Sequence, residues 1–407
     1  MNRSSSNHKQ VISAGALRIV FLILLMDVIG IMVISPVAPY IVRRYSSSAI
    51  SVTMLTVLYA AAQFFAAPLL GKLSDRIGRR PVILVSVAGA AVAYAMFGVG
   101  GSLFVLFLAR LIGGITGGNM SACSAYIADI SPPQVRAKNF AVIGMAWAFG
   151  LILGPALGAV FGQIDLDLPA FVAAGLSLIN LALGLFFLPE SLPAEKRQAD
   201  PMSYEDINPF KSIIDMARKP ALGELLLVLS LFNFAFTGVV STETLFYIHK
   251  FDALPGQIGL LLALYGIAVA IVQLILLPRL VPLFGESALA IFGMVGQIVG
   301  VVAIFFVPYF WMIYPVVILS RSANSFVFPA LTTLTSNQVT AAEQGSLMGV
   351  TTALASLMNM TGSMWAGAIY DWMMPGAPFW AAAVFYGLAA LSLLRYTRRI
   401  RAKAVTG

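Results

Sequence analysis

Four ionisable residues stand inside long apolar runs, where a charge needs a reason. Asp27 has LILLM before it and VIGIMVI after it, Glu243 comes late in the run 221–247, and Arg110 and Arg321 lie inside the runs 103–127 and 309–331. At the centre of a helix in lipid such a side chain costs about 2.5 to 3.5 kcal/mol on insertion scales, and it is commonly tied to an ion or substrate path. An acid in that setting can take a proton from one side and release it when its surroundings change. Asp27 is the clearest candidate for proton or cationic-substrate coupling; the alternative is a structural acid paired permanently with a neighbouring helix. Arg110 is its expected partner, because a fixed cation beside an acid favours the charged form and separating the two lets a proton bind. A role holding helices together through backbone carbonyls is the competing reading. Arg321 can bind an anionic substrate group or serve structure, and Glu243 can be a second protonation site, meet a cationic drug, or simply be solvated near the interface.

Uncharged amides extend the same argument. Gln63 and Asn119 in the first half, and Asn233, Gln273, Gln297, Asn324 and Asn359 in the second, fall within apolar runs. Lipid offers an amide no partner, so some of them are expected to line a central cavity.

The elements that must position these groups follow from composition. With 59% hydrophobic and 10% charged residues over 407 positions, the apolar segments exceed what one water-soluble core can hide. Runs of about 20 apolar residues, the length a helix needs to cross the hydrocarbon, occur at about 16–40, 50–71, 80–99, 103–127, 138–162, 168–188, 221–247, 256–278, 286–307, 309–331, 345–372 and 377–395. The expected fold is an all-α membrane protein of twelve transmembrane helices. The net charge of +8 is a topology signal rather than a nucleic-acid footprint. With the loops numbered alternately, Lys and Arg gather on the side of both termini, leaving only Arg43, Arg44 and Lys250 opposite and Arg110 and Arg321 within spans. Both termini are therefore expected in the cytoplasm.

Other chemistries find no support. The first run carries Asp27 at its middle and no small-residue cleavage site follows, so it reads as a retained span. The single Cys123 excludes an intramolecular disulfide, and His8 and His249 make no metal site. No nucleophile and base pair or phosphate-binding loop points to catalysis, ATP hydrolysis or a cofactor.

The hydrophilic stretch 189–220 divides the chain into 1–188 and 221–407, two blocks of six spans. Ile207, Phe210, Ile213, Ile214 and Ala217 recur there at helical spacing, which predicts a short helix on the cytoplasmic membrane face. The turn after the second span, LSDRIGRRPV, and the turn after the eighth, VPLFGESAL, share an FG(E/R)-like core. Two such halves related by an axis along the membrane normal are a transporter plan.

Two further motifs concern motion. GKLSDRIGRR, 71–80, packs cations and one acid into a short connection. Gly71 and Gly78 are expected to allow tight reversal, Asp75 to accept from a helix N-terminus, and Arg79 to pair with Asp129. Arg76 and Arg80 complete the set, and the cluster reads as a conformational switch, a topogenic signal, or both. In the fifth span Gly150, Gly154, Gly158 and Gly162 share one face, with Pro155 loosening the helix between them. That face is expected to pack closely on another helix, and in the functional reading on one from the opposite half.

These residues carry a resemblance. GKLSDRIGRRPV resembles the loop signature of the major facilitator superfamily, LARLIGGITGG (108–118) its fourth-helix signature, and GLILGPALGA (150–159) the fifth-helix signature of its proton-coupled drug antiporters. Within that superfamily the chain is similar to the tetracycline efflux proteins through MDVIGIMVISPVAPY (26–40), LYAAAQFFAAPLLG (58–71) and GGITGGNMSACSAYIADI (113–130), closely in the first half and loosely in the second. The resemblance implies a secondary transporter of a bacterial inner membrane, monomeric, exporting a hydrophobic or amphiphilic small molecule in exchange for protons by alternating access, with Arg110 linked to proton coupling. The chain departs from it at Ala93, where the tetracycline pumps carry an acid in the third span. A proton-coupled importer and a non-transporting membrane sensor are the alternatives on the same scaffold.

Overall fold

A computed structural model describes residues 3–132, 135–197, 209–340 and 343–406. Every regular element among them is helical. In order these are α1 (Arg3–Ile34), α2 (Ala38–Arg43), α3 (Ala49–Ile77), α4 (Arg79–Val99), α5 (Leu103–Gly117), α6 (Asn119–Ile130), α7 (Arg136–Ile164), α8 (Leu168–Phe187), α9 (Pro209–Ala217), α10 (Pro220–Phe251), α11 (Pro255–Ile271), α12 (Leu277–Phe284), α13 (Glu286–Phe306), α14 (Ile313–Asn324), α15 (Val327–Ser336), α16 (Gln344–Trp372) and α17 (Ala377–Thr406). Among the described residues ten helical segments are long and apolar enough to cross a membrane, against the twelve runs read from the sequence. The other two expected spans are the pair α14–α15, interrupted at 325–326, and α16, a 29-residue helix in which GSLMGVTT and NMTGS dilute the apolar character.

Apolar length and helix length differ at the ends. The run that includes α3 loses its apolar character near 71, yet the helix continues to Ile77, and α4 starts at Arg79. The connection is therefore the single residue Gly78 rather than ten residues, and Gly71 lies within the helix rather than at the reversal. Backbone hydrogen bonding does not need lipid, so a helix can extend past the membrane boundary. Gly78 has φ 109° and ψ 156°, a conformation essentially restricted to glycine. Gly285 stands at φ 77° and ψ 159° before α13. The two 21-residue helices that follow, α4 and α13, thus begin from the same backbone shape.

The chain divides into two compact units, one of 1–41 with 61–207 and one of 42–60 with 208–407. In the first unit, Val20, Ile23 and Leu24 of α1 pack with Val82, Ile83 and Val87 of α4, and with Ala122, Cys123, Tyr126 and Ile127 of α6. The fourth span is broken at Gly118, between α5 and α6, where a β-carbon would stand 3.1 Å from the Ala67 Cα of α3. The small residue lets the two backbones approach closely.

In the second unit a larger core joins Leu225, Phe232 and Val239 of α10 to Met294 and Val301 of α13, Val317 of α14 and Tyr386 of α17. The helix expected in the linker is α9. Ile213 and Met216 pack against Leu222 and Leu226 of α10 and Leu347 and Val350 of α16, while Phe210 and Ile214 are exposed. Ile207 lies outside the described residues.

The first half of α3 is grouped with the second unit, a division that the sequence boundary at 188 does not foresee. Asp371 of α16 holds it there: its carboxylate accepts from the Ser48 hydroxyl (2.5 Å) and from the backbone N–H groups of Ala49 (2.8 Å) and Ile50 (3.0 Å). Gly367, one turn before Asp371, sits directly against Thr53, leaving no room for a β-carbon.

Candidate functional site

Asp27 lies within the apolar stretch of α1 and is half-buried. Asn119, the first residue of α6, donates to its carboxylate at 2.6 Å, and Asn180 of α8 donates at 3.1 Å while also reaching the Ile23 carbonyl at 3.1 Å. The break at Gly118 is what starts α6 at Asn119 and brings its side chain to α1. Neutral amides satisfy a carboxylate without supplying a counter-charge, so the acid can exist in either protonation state. The arginine expected beside it is elsewhere engaged: the Arg110 guanidinium lies 4.6 Å from the centre of the Phe97 ring. Asn180 is the partner that sequence reading missed. It stood in the apolar run SLINLALG as one more polar residue, and nothing in spacing along the chain ties it to Asp27.

The glycine face of α7 packs on α1, in the same unit. A β-carbon at Gly150 would meet Val28, at Gly154 Met32, and at Gly158 the Val33 carbonyl. The residue following Asp27 is therefore in direct contact with α7, and Pro155 lies inside that helix between the contacts. Two helices in backbone contact move as one or slide together; they have no soft side-chain layer between them.

The 71–80 cluster forms a network within the first unit. Arg79, buried at 7% exposure, pairs with Asp75 at 2.5 Å and Asp129 at 3.1 Å, and donates to the Ser74 hydroxyl at 2.6 Å. The expected Arg79–Asp129 pair is present. Asp75 serves Arg79 rather than a helix N-terminus. That second task falls to Glu190, which sequence reading missed: its carboxylate accepts from the backbone N–H groups of Arg79 (2.9 Å) and Arg80 (3.3 Å), the first residues of α4. A negative charge at the first turn is where a helix favours it. Ser191 closes the ring by donating to Asp129 at 3.0 Å. Arg80 donates to the Leu185 carbonyl at 2.6 Å, and Arg76 is exposed. The signal for Glu190 was an isolated acid straight after the sixth span, LPESLP.

The remaining amides scatter. Gln63 donates to the Gly117 carbonyl at 3.1 Å, which steadies the α5–α6 break. Asn233 turns back on its own helix to Leu229 at 2.9 Å, Asn359 accepts from Thr237 at 2.6 Å, and Gln297 is buried against the Ser320 carbonyl at 3.0 Å. Gln273 is exposed and Asn324 partly buried. Glu243 and Arg321 are brought together as an ion pair, each with 5% or less of its surface exposed. Glu243 is thus neither solvated nor alone.

A helical chain with a carboxylate held by amides, a small-residue helix against it and a charged network at one end has the build of a membrane carrier. Residues 20–253 and 226–407 match the Major Facilitator Superfamily, and the chain belongs to it. It is a transporter rather than an enzyme. The chain is 35% identical over 361 residues to the tetracycline resistance protein, class C, of Escherichia coli, covering 88% of this chain and 90% of that protein. Among solved structures, the human organic anion transporter MFSD10 (TETRAN) superposes with a TM-score of 0.72 at 26% identity, over 94% of this chain and 99% of that one. A bacterial homologue of the human lysosomal transporter Spinster, inward-facing and unoccupied, gives 0.76 at 18% identity over 95% and 97%, a likeness of fold alone.

Proposed function

We propose that this transporter exports an amphiphilic, drug-like small molecule from the cytoplasm in exchange for protons, by alternating access. The reading has it as a monomer of twelve spans, with both termini cytoplasmic, in a bacterial inner membrane. One observation carries it: Asp27, within a lipid-spanning helix, is satisfied by Asn119 and Asn180, which leave its protonation state open. A permanently paired acid would have a cation there, and an acid with no partner would be costly. The glycine contacts of α7 on Val28 and Met32 couple that acid to the helix whose signature marks drug antiporters, so a change of charge at 27 has a mechanical route outward. The similarity to tetracycline resistance proteins supports export and a drug-like cargo.

The test is proton release from acidified inverted vesicles, followed with a pH-sensitive dye, on adding tetracycline and then lipophilic cations and neutral drugs. Dissipation by any compound, lost in Asp27→Asn, supports the antiporter. Silence across the panel from folded protein sinks it, and tetracycline alone shows whether Ala93 excludes that drug.

A further inference from the structure

The two glycine joints share a backbone shape but not their surroundings. At Gly78 the space beside the chain is filled: Glu190 accepts from the N–H groups that open α4, and Arg79 is tied to Asp75, Asp129 and Ser74. At Gly285 there is instead an open cavity of about 330 Å³, entirely within the second unit. Its wall is the joint with the first residues of α13, the segment that ends α15, and one side of α17. Four polar side chains of this wall, Glu286, Asn337, Gln338 and Tyr396, make no side-chain hydrogen bond or ion pair among the described residues. Tyr396 is the most telling of them, because it is only 5% exposed and its hydroxyl is still without a partner there.

A buried hydroxyl costs stability unless something supplies it with a partner. The wall carries one formal charge, the Glu286 carboxylate, and no cationic side chain. The start of α13 adds the equivalent of about half a positive charge, which a full carboxylate outweighs, so the cavity favours a cation. A hard divalent metal fits poorly. It takes six or more oxygen ligands, several of them commonly carboxylates, and no cluster of three His, Cys, Asp or Glu residues occurs among the described residues. An organic ammonium fits well. Its N–H groups can donate to the carboxylate and to the amide oxygens of Asn337 and Gln338, while Tyr396 offers both a hydroxyl and a ring face. Phe284, Leu334 and Ile400 supply an apolar wall for an attached chain. We propose that this cavity binds the ammonium group of a small amphiphilic amine, with Glu286 as its counter-charge. The amine can come from water or be the headgroup of an aminophospholipid, since both present the same group. At the other joint the chain fills the corresponding space with its own cation, Arg79, held by Asp75 and Asp129. The site goes beyond the exporter reading, because it involves neither Asp27 nor a direction of transport.

The experiment measures binding of hexylammonium at neutral pH to the full-length protein in phosphatidylcholine nanodiscs by titration calorimetry, with hexanol as the uncharged comparison. The wild type is expected to bind hexylammonium saturably and at least about tenfold more tightly than hexanol. Glu286→Gln should lose at least about tenfold, and Ala288→Trp, which fills the cavity from an exposed position, should abolish binding. Arg218→Gln, at an exposed site elsewhere, should bind as the wild type. The proposal is overturned if the wild type does not bind, if hexanol binds as tightly (apolar partitioning only), or if either Glu286→Gln or Ala288→Trp binds as the wild type. Should Glu286→Gln fail to fold, Ala288→Trp and the hexanol comparison decide the question. Repeating the titration with phosphatidylethanolamine in the nanodiscs separates the two sources of amine. Weakened hexylammonium binding supports occupation by the lipid headgroup, and unchanged binding supports a soluble amine. Drug-driven proton release in vesicles is independent of these outcomes, so the two readings can fail separately.

Discussion

At the scale of single residues, the decisive feature is that the side-chain partners of Asp27 among the described residues are the two neutral amides of Asn119 and Asn180. Asp27→Asn is expected to abolish drug-driven proton release while leaving the melting temperature in detergent close to wild type, because the new amide oxygen can accept from Asn180 while its NH2 group donates to the Asn119 oxygen once that one amide flips. Full uphill export by the variant would remove Asp27 from the coupling step. Asn180→Leu is a sharper probe: it removes one of the two donors, so flux should fall by about tenfold, the loss expected for a hydrogen bond to a charged group. Flux at the wild-type level would make Asn180 a bystander. Asp27 and the Arg79–Asp129 pair were legible in the sequence because charge in an apolar run, or in a short basic loop, is conspicuous against its background. Asn180 and Glu190 were not, because their meaning lies in partners 153 and 111 residues away. Arg110 shows the converse: two opposite charges in lipid invite pairing on paper, yet an aromatic face can also receive a guanidinium.

Among elements, the informative contacts are helix on helix. Gly154→Leu should drive a side chain into Met32 of α1 and cost about 1–3 kcal/mol through overpacking, read as a lower melting temperature together with lost flux; a variant as stable and active as the wild type would show that α1 and α7 are not in close contact. Asp371→Asn removes the charge that caps the start of α3, where three hydrogen bonds converge. Charge-assisted bonds are worth about 1.5–3 kcal/mol, so amide exchange at 49–53 should quicken by about tenfold or more, and unchanged exchange would refute the capping role. Helix existence followed from apolar length throughout. Helix ends did not, because the apolar run reports where lipid stops, whereas the helix stops where backbone geometry changes, as it does at Gly78. The breaks at Gly118 and at 325–326 were likewise hidden in runs that read as continuous.

For the whole molecule, the charged network around Arg79 and the surface ties between distant segments are the features to test. Asp75→Asn should slow turnover more than it weakens substrate binding, since Asp75 contacts Arg79 and not the Asp27 site; equal losses in kcat and KM would exclude a switching role. Glu343, exposed ahead of α16, is held below the usual glutamate range by the Lys219 ammonium at 2.5 Å and by the Thr340 backbone N–H and hydroxyl. Its contribution is therefore present at neutral pH and is lost as pH falls through that depressed value. Glu343→Gln should quicken amide exchange around 340–347 at pH 7 and make no difference once the wild type is protonated; a difference that persists in acid would point to another cause. The two glycine joints behave differently from all of these. At Gly78 a side chain would strike Glu190, whereas at Gly285 nothing lies within 4 Å of where a β-carbon would sit. The second joint is specified by torsion alone: any larger residue would have ample room and still not fit. A joint defined in that way depends on no neighbouring side chain, and so the turn at Gly285 can share the backbone shape of Gly78 without the acid and arginines that surround the latter.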